Sequence, residues 1–291
     1  MIFALCTITA GAIIVILALR EIFKDLFDPT ARGSLSSFVP RALTRLLRRR
    51  PSLLPAAGPV ALIMIIGCWV GLLALGFALI YWPSFPQDFR IDSGKTPAQE
   101  HGFLPVLYFA FEIIGDLGLG DFTPQRGWMR MLVTVQALIG LGLVTASISW
   151  IVLLYPALAR MRTLARRTGL LITAAQETGV DVVTNGGEHL LNQLALDVIR
   201  TRVDLIHFPI IFYFFSSHKL SSLAHAIPQL VDFAERASKA KDADAVRLGG
   251  ALLRTALDDL AVVLGDRFVQ AGSRDTEAVF RAWRDYQFTA D

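Results

Sequence analysis

Uncharged apolar residues gather into three long stretches: Met1–Leu19, Pro59–Trp82 and Met131–Ala159, the last bounded by Arg130 and Arg160. A helix crossing the ~30 Å hydrocarbon core of a bilayer needs about 20 such residues, so each stretch predicts a membrane span. At about 1.5 Å per residue the third outruns that core, and it is expected to tilt or to continue beyond the membrane as one helix. The first stretch lacks the basic leader and small-residue cleavage site of a signal peptide and is expected to remain as an anchor. A shorter run, Phe103–Ile114, has 12 residues, too few to cross and of the length of a re-entrant segment. It leads into Gly115, Asp116, Leu117, Gly118, Leu119, Gly120 and Asp121, three glycines and two aspartates in seven residues. Non-helical backbone is tolerated at membrane depth only where it is buried in protein or lines a water-filled cavity. The segment is therefore expected either to line such a cavity or to form a plain turn outside the membrane.

Beyond residue 160 the pattern changes to soluble, amphipathic helices. Leu191, Leu194, Val198 and Leu205 recur on one face of 187–206, and Leu253, Leu257, Leu260 and Leu264 on one face of 246–264. Val279, Phe280 and Trp283 suggest a short last helix. Phe208–Phe215 is apolar but too short to span, so it is either core or a surface lying on the bilayer. The expected fold class is thus an all-α membrane protein with three transmembrane helices, a re-entrant helix and a helical cytoplasmic domain.

Charge placement orients the spans. The link after the first span carries Arg20, Lys24, Arg32, Arg41, Arg45, Arg48, Arg49 and Arg50, and the third span is followed by Arg160, Arg162, Arg166 and Arg167. The longer link between the second and third holds only Arg90, Lys95, Arg126 and Arg130. Basic residues stay on the cytoplasmic side, which predicts a multi-pass protein of the cell inner (plasma) membrane with its N-terminus outside and its C-terminus in the cytoplasm. Within the first link, Phe38, Val39, Ala42, Leu43, Leu46 and Leu47 alternate at helical spacing with arginines. This predicts an amphipathic helix on the inner membrane surface, with anionic lipid near Arg41, Arg45, Arg48 and Arg49. The same segment is too polar to span as a voltage sensor, and no nucleic-acid partner is expected.

Composition adds little beyond this. The chain has 291 residues, 54% hydrophobic and 18% charged, with net charge +3; soluble domains carry about 25% charged residues. Cys6 and Cys68 lie in apolar runs, so neither a disulfide framework nor a Cys/His metal site is predicted. No nucleotide-binding glycine motif or EF-hand loop occurs, and His189, His207, His218 and His225 are scattered. No catalytic residue and no cofactor is expected, and the chain is not read as an enzyme.

The run from Tyr108 to Pro124 resembles the pore helix and selectivity filter of the two-transmembrane potassium channel superfamily. The Gly-x-Gly-Asp core of Gly118–Asp121 and the trailing Pro124 carry the likeness, which covers roughly Pro59 to Ala159. The resemblance implies a tetrameric cation channel whose filter replaces an ion's hydration shell with backbone carbonyls. It divides the chain into an additional N-terminal span (1–20), a cytoplasmic link (21–57), a pore domain (58–159) and a cytoplasmic helical domain (160–291). The pore domain would comprise an outer helix 59–82, a pore helix 103–114, a filter 115–121 and an inner helix 129–159. Asp116, Leu117, Gly118, Leu119 and Gly120 would conduct, with a cation held at Asp116, Leu117, Gly118 and Leu119, potassium before sodium or a divalent ion. Glu112, Asp121 and Tyr108 would support the filter, with Glu112 and Asp121 paired, and Gly140 or Gly142 would be a gating hinge or a packing contact.

Three positions depart from the family pattern. Asp116 stands where Thr is usual, and four acids around one axis would repel one another, attract cations and alter selectivity, unless each turns aside to cap the pore helix or a neighbouring strand. Leu119 replaces a Tyr whose hydroxyl ties the filter down. Gly115 replaces a Thr, weakening the helix end or capping it. The alternative function is a non-conducting membrane sensor or scaffold with a degenerate filter.

Overall fold

The computed structural model describes residues 2–27, 35–91, 102–216, 221–240, 244–269 and 275–288. Arg32, Lys95 and His218, named above, lie outside the described residues. Helices α1 (Ile2–Phe27), α2 (Leu35–Leu47), α3 (Ala57–Tyr81), α4 (Phe103–Ile114), α5 (Gly127–Thr178), α6 (Val182–His207), α7 (Leu223–Ser238), α8 (Asp244–Arg267) and α9 (Thr276–Phe288) follow in order. Two three-residue strands, β1 (Phe89–Ile91) and β2 (Phe122–Pro124), pair antiparallel with Phe89 opposite Pro124 and Ile91 opposite Phe122. Among the described residues, three helical segments are long and apolar enough to cross a membrane: Ile2–Leu26, Ser52–Ser84 and Gly127–Thr178. The protein is an all-α, multi-pass membrane protein.

Two compact units divide the chain: residues 1–35 with 62–152, and residues 36–61 with 153–291. The sequence placed the second boundary at residue 160 and treated the link as a separate segment; here α5 runs unbroken to Thr178 and the second half of the link folds into the second unit.

In the first unit, Trp69, Leu73, Phe77 and Tyr81 recur every fourth residue of α3 and are all buried. Trp69 meets Trp150 of α5 with ring centroids 5.6 Å apart. Helices α1 and α3 approach so closely that a Cβ on Gly11 would lie 2.4 Å from the Gly76 carbonyl oxygen, the small-residue contact that lets backbones meet inside a membrane.

In the second unit the leucine faces of α6 and α8 form the core: Leu191, Leu194, Val198, Leu205, Leu253, Leu257, Leu260 and Leu264 are buried, as are Val279, Phe280 and Trp283 of α9. Ile210–Phe215 is buried too, so this run is core and not a surface on the bilayer. Phe212 stacks on Phe268 at 4.5 Å. Helix α2 packs partly here: Val39 and Thr44 are buried, whereas Phe38 and Leu46 stay exposed. Arg41 donates to the Tyr213 hydroxyl and to the Arg267 carbonyl (3.4 and 3.1 Å), and Arg48 donates to the Tyr286 carbonyl (3.0 Å) and lies over its ring. Burial pushes the Tyr213 hydroxyl pKa up, and Arg41 partly offsets this. Two of the arginines assigned to lipid therefore have protein partners; Arg45 and Arg49 are exposed.

Candidate functional site

Helix α4 ends in a way that shapes everything after it. Gly115 N–H donates to Phe111 O, Asp116 N–H to Ile113 O and Leu117 N–H to Glu112 O, at 2.9, 3.3 and 3.1 Å. The last two bonds are the pair that closes a helix when the residue after the cap turns left-handed. That residue is Asp116, with φ 52°, while Gly115 keeps right-handed geometry at φ −77°. Glycine usually fills such a position, and aspartate is among the few residues that tolerate it. Gly115 is thus the C-cap of α4, as one reading of the sequence had it, and Asp116 after it is the residue whose backbone reverses the chain.

Left-handed residues then alternate with the leucines: Gly118 has φ 59° and Gly120 φ 78°. Alternation of hand turns successive peptide carbonyls toward one side and their N–H groups toward the other. One of those N–H groups, from Gly120, donates to Glu112 Oε1 at 3.0 Å. Glu112 is buried, 3% exposed, and its second oxygen has no partner among the described residues. One turn earlier on the same face of α4, Tyr108 donates its hydroxyl to Asp121 Oδ2 at 3.1 Å. The expected pairing of Glu112 with Asp121 is therefore replaced by two separate contacts, each acid taking a neutral donor. The reason is geometric: residues 108 and 112 sit a turn apart and reach different points of the loop.

The loop's exit is fixed by β2 against β1, by Gln125 N–H on Asp88 O (2.9 Å) and by the Arg126–Asp88 ion pair (2.8 Å). Phe109 of α4 packs edge-on against Tyr81, Phe89 and Phe122, at 5.6, 5.2 and 6.3 Å. Inside the helix layer, Tyr81 donates to Gln136 Oε1 (2.8 Å) and Gln136 Nε2 donates to Ala110 O (2.9 Å), all buried. Sequence reading missed Asp88, Tyr81 and Gln136; the last was signalled by being an amide within a charge-free span. Helix α5 is continuous through Gly140 and Gly142. A Cβ on Gly140 would stand 2.4 Å from the Ile114 carbonyl oxygen, while nothing lies within 4 Å of one on Gly142. Gly140 thus serves the close approach of α5 to the end of α4.

No group of three or more metal-ligating side chains forms among the described residues.

A short apolar helix ending in a left-right alternating loop thus lies between two helices long and apolar enough to cross a membrane. Residues 62–154 match the family described as ion channel, so this stretch is similar to that family. The chain is also 23% identical over 198 residues to the uncharacterized membrane protein YdjJ of Bacillus subtilis (strain 168), covering 65% of this chain and 56% of that one. This chain thus spans little more than half the length of that relative. No solved structure matches.

Proposed function

We propose that the chain forms a homotetrameric cation channel, with Leu117, Gly118, Leu119 and Gly120 lining the conduction path by their carbonyls and Asp116 at its inner end. The alternating backbone at Asp116, Gly118 and Gly120, held from behind by Glu112, carries this reading. One chain brings one loop, so closing a ring of carbonyls takes copies around an axis. The channel sits in the cell inner (plasma) membrane, N-terminus outside and C-terminus in the cytoplasm, with the loop opening outward at Asp121. Potassium is the expected ion, and the Asp116 ring extends permeation or block to divalent cations. Arg45 and Arg49 are the arginines of α2 placed for anionic lipid.

Cation flux from purified protein in liposomes is the test. Bi-ionic reversal potentials of wild type and Asp116→Asn then isolate the charge, because Asn keeps the left-handed backbone that a β-branched Thr would strain. Altered potassium-over-sodium or divalent permeability in the variant supports the assignment; an unchanged ratio removes Asp116 from the path. Absence of flux under every ionic condition would favour a non-conducting sensor or scaffold.

A further inference from the structure

We infer that Gln136, oriented by Tyr81, is a positioning residue that sets the depth of α4 against α5 and thereby the geometry of the 115–121 loop; this rests on the loop being the ion path. Gln136 and Tyr81 are both fully buried. The Tyr81 hydroxyl fixes the amide's oxygen at 2.8 Å, which turns its nitrogen onto Ala110 O at 2.9 Å. A carbonyl oxygen has two lone pairs, so Ala110 O can take this donor in addition to its own helical bond. Three helices meet in one relay, α3 through Tyr81, α5 through Gln136 and α4 through Ala110.

The relay does not stand alone. One turn further, Ile114 O rests on Gly140, where a Cβ would intrude to 2.4 Å. Positions 136 and 140 on α5 therefore face 110 and 114 on α4 at equal spacing. A hydrogen bond fixes the first pair and a glycine admits the second, so sliding α4 along α5 breaks one or collides at the other. Between these points Glu112 reaches the Gly120 N–H. Any change in the depth of α4 moves that acceptor relative to the loop. A packing role alone would be met by leucine, and a lone buried amide in an apolar span would then only cost stability.

The experiment uses the full chain in detergent and in liposomes, with Gln136→Leu, Tyr81→Phe and the double variant. Removing both partners eliminates the orphaned polar group, so the double variant is expected to regain the thermal stability lost by Gln136→Leu. The loop is read separately, by hydrogen–deuterium exchange of residues 115–121 and by the potassium-to-sodium permeability ratio. Exchange at the loop is expected to rise at least tenfold in Gln136→Leu and to stay raised in the double variant, with the permeability ratio shifted in both. Loop exchange that stays at the wild-type rate in Gln136→Leu, or that recovers together with stability in the double variant, overturns the inference. Wild-type flux decides the channel reading independently, since the exchange measurement needs no conduction.

Discussion

The two units hold their acids by different means. In the helical unit carboxylates meet cations: Asp204 takes Arg160 through two bonds of 2.8 and 2.7 Å, Asp197 takes Arg167, and Asp259 takes Arg202. Around the 115–121 loop they meet neutral donors, Glu112 the Gly120 N–H and Asp121 the Tyr108 hydroxyl. The first unit places an arginine against a carboxylate beside the loop's exit strand, at Asp88 and Arg126. At the exit strand itself Arg130 also donates to Pro124 O at 3.0 Å, so these cations sit at the loop's end and not on its acids. The acids of the loop are thus held in shape by neutral donors, those of the second unit by cations.

The sharpest way to break this contrast is at the backbone. Gly118→Val puts a β-branched residue at φ 59°, where even an ordinary side chain costs about 1–2 kcal/mol in each copy; cation flux in liposomes should fall to background. Retained flux would remove the alternating backbone from the mechanism. Next comes the neutral donor pair. Glu112→Ala should leave the Gly120 N–H without an acceptor, a cost of about 1–3 kcal/mol, seen as faster amide exchange at 118–121 and shorter open times. Glu112→Gln keeps an oxygen for that N–H and should restore most of both. Equal behaviour of the two variants would mean that the bond does not hold the loop.

Smaller effects are expected where cations do the work. Arg160→Met strips the buried Asp204 of both bonds; because Arg160 is 47% exposed, the loss should be about 1–2 kcal/mol, read by thermal unfolding and partly recovered by adding Asp204→Asn. The smallest belongs to Arg126→Gln. Its side chain is 61% exposed, so the change should stay below about 1 kcal/mol and shrink further in high salt. A large salt-dependent loss of flux in that variant would mean that the exit cation acts on the loop after all.

Legibility in the sequence follows the same divide. The three spans and the leucine faces of α6 and α8 were readable because burial on one helical face writes itself as a period. The loop was readable because Gly118 and Gly120 supply a backbone that few residues can. Its supports were not. The partner of Glu112 depends on where residue 120 arrives after a reversal at Asp116, and the helix-ending role of Asp116 lies in a dihedral angle, not in a pattern. The Tyr81–Gln136–Ala110 relay joins positions far apart in sequence, and nothing local in α3 points to it. The arginines of α2 looked uniform, yet Arg41 and Arg48 find carbonyls at the ends of α8 and α9, a distinction that needs the partner helices.

The matched contacts of 110 with 136 and 114 with 140 make angular phase the quantity this region cannot change. One residue inserted into α5 between Arg130 and Gln136 rotates everything beyond it by about 100° and advances it about 1.5 Å. The amide and the glycine would swing away from α4 together, even though every residue of both helices is still present. Loss of the loop's order from such an insertion, with composition intact, would mark the helix as an indexed part whose pitch, and not its apolarity, is what α4 reads.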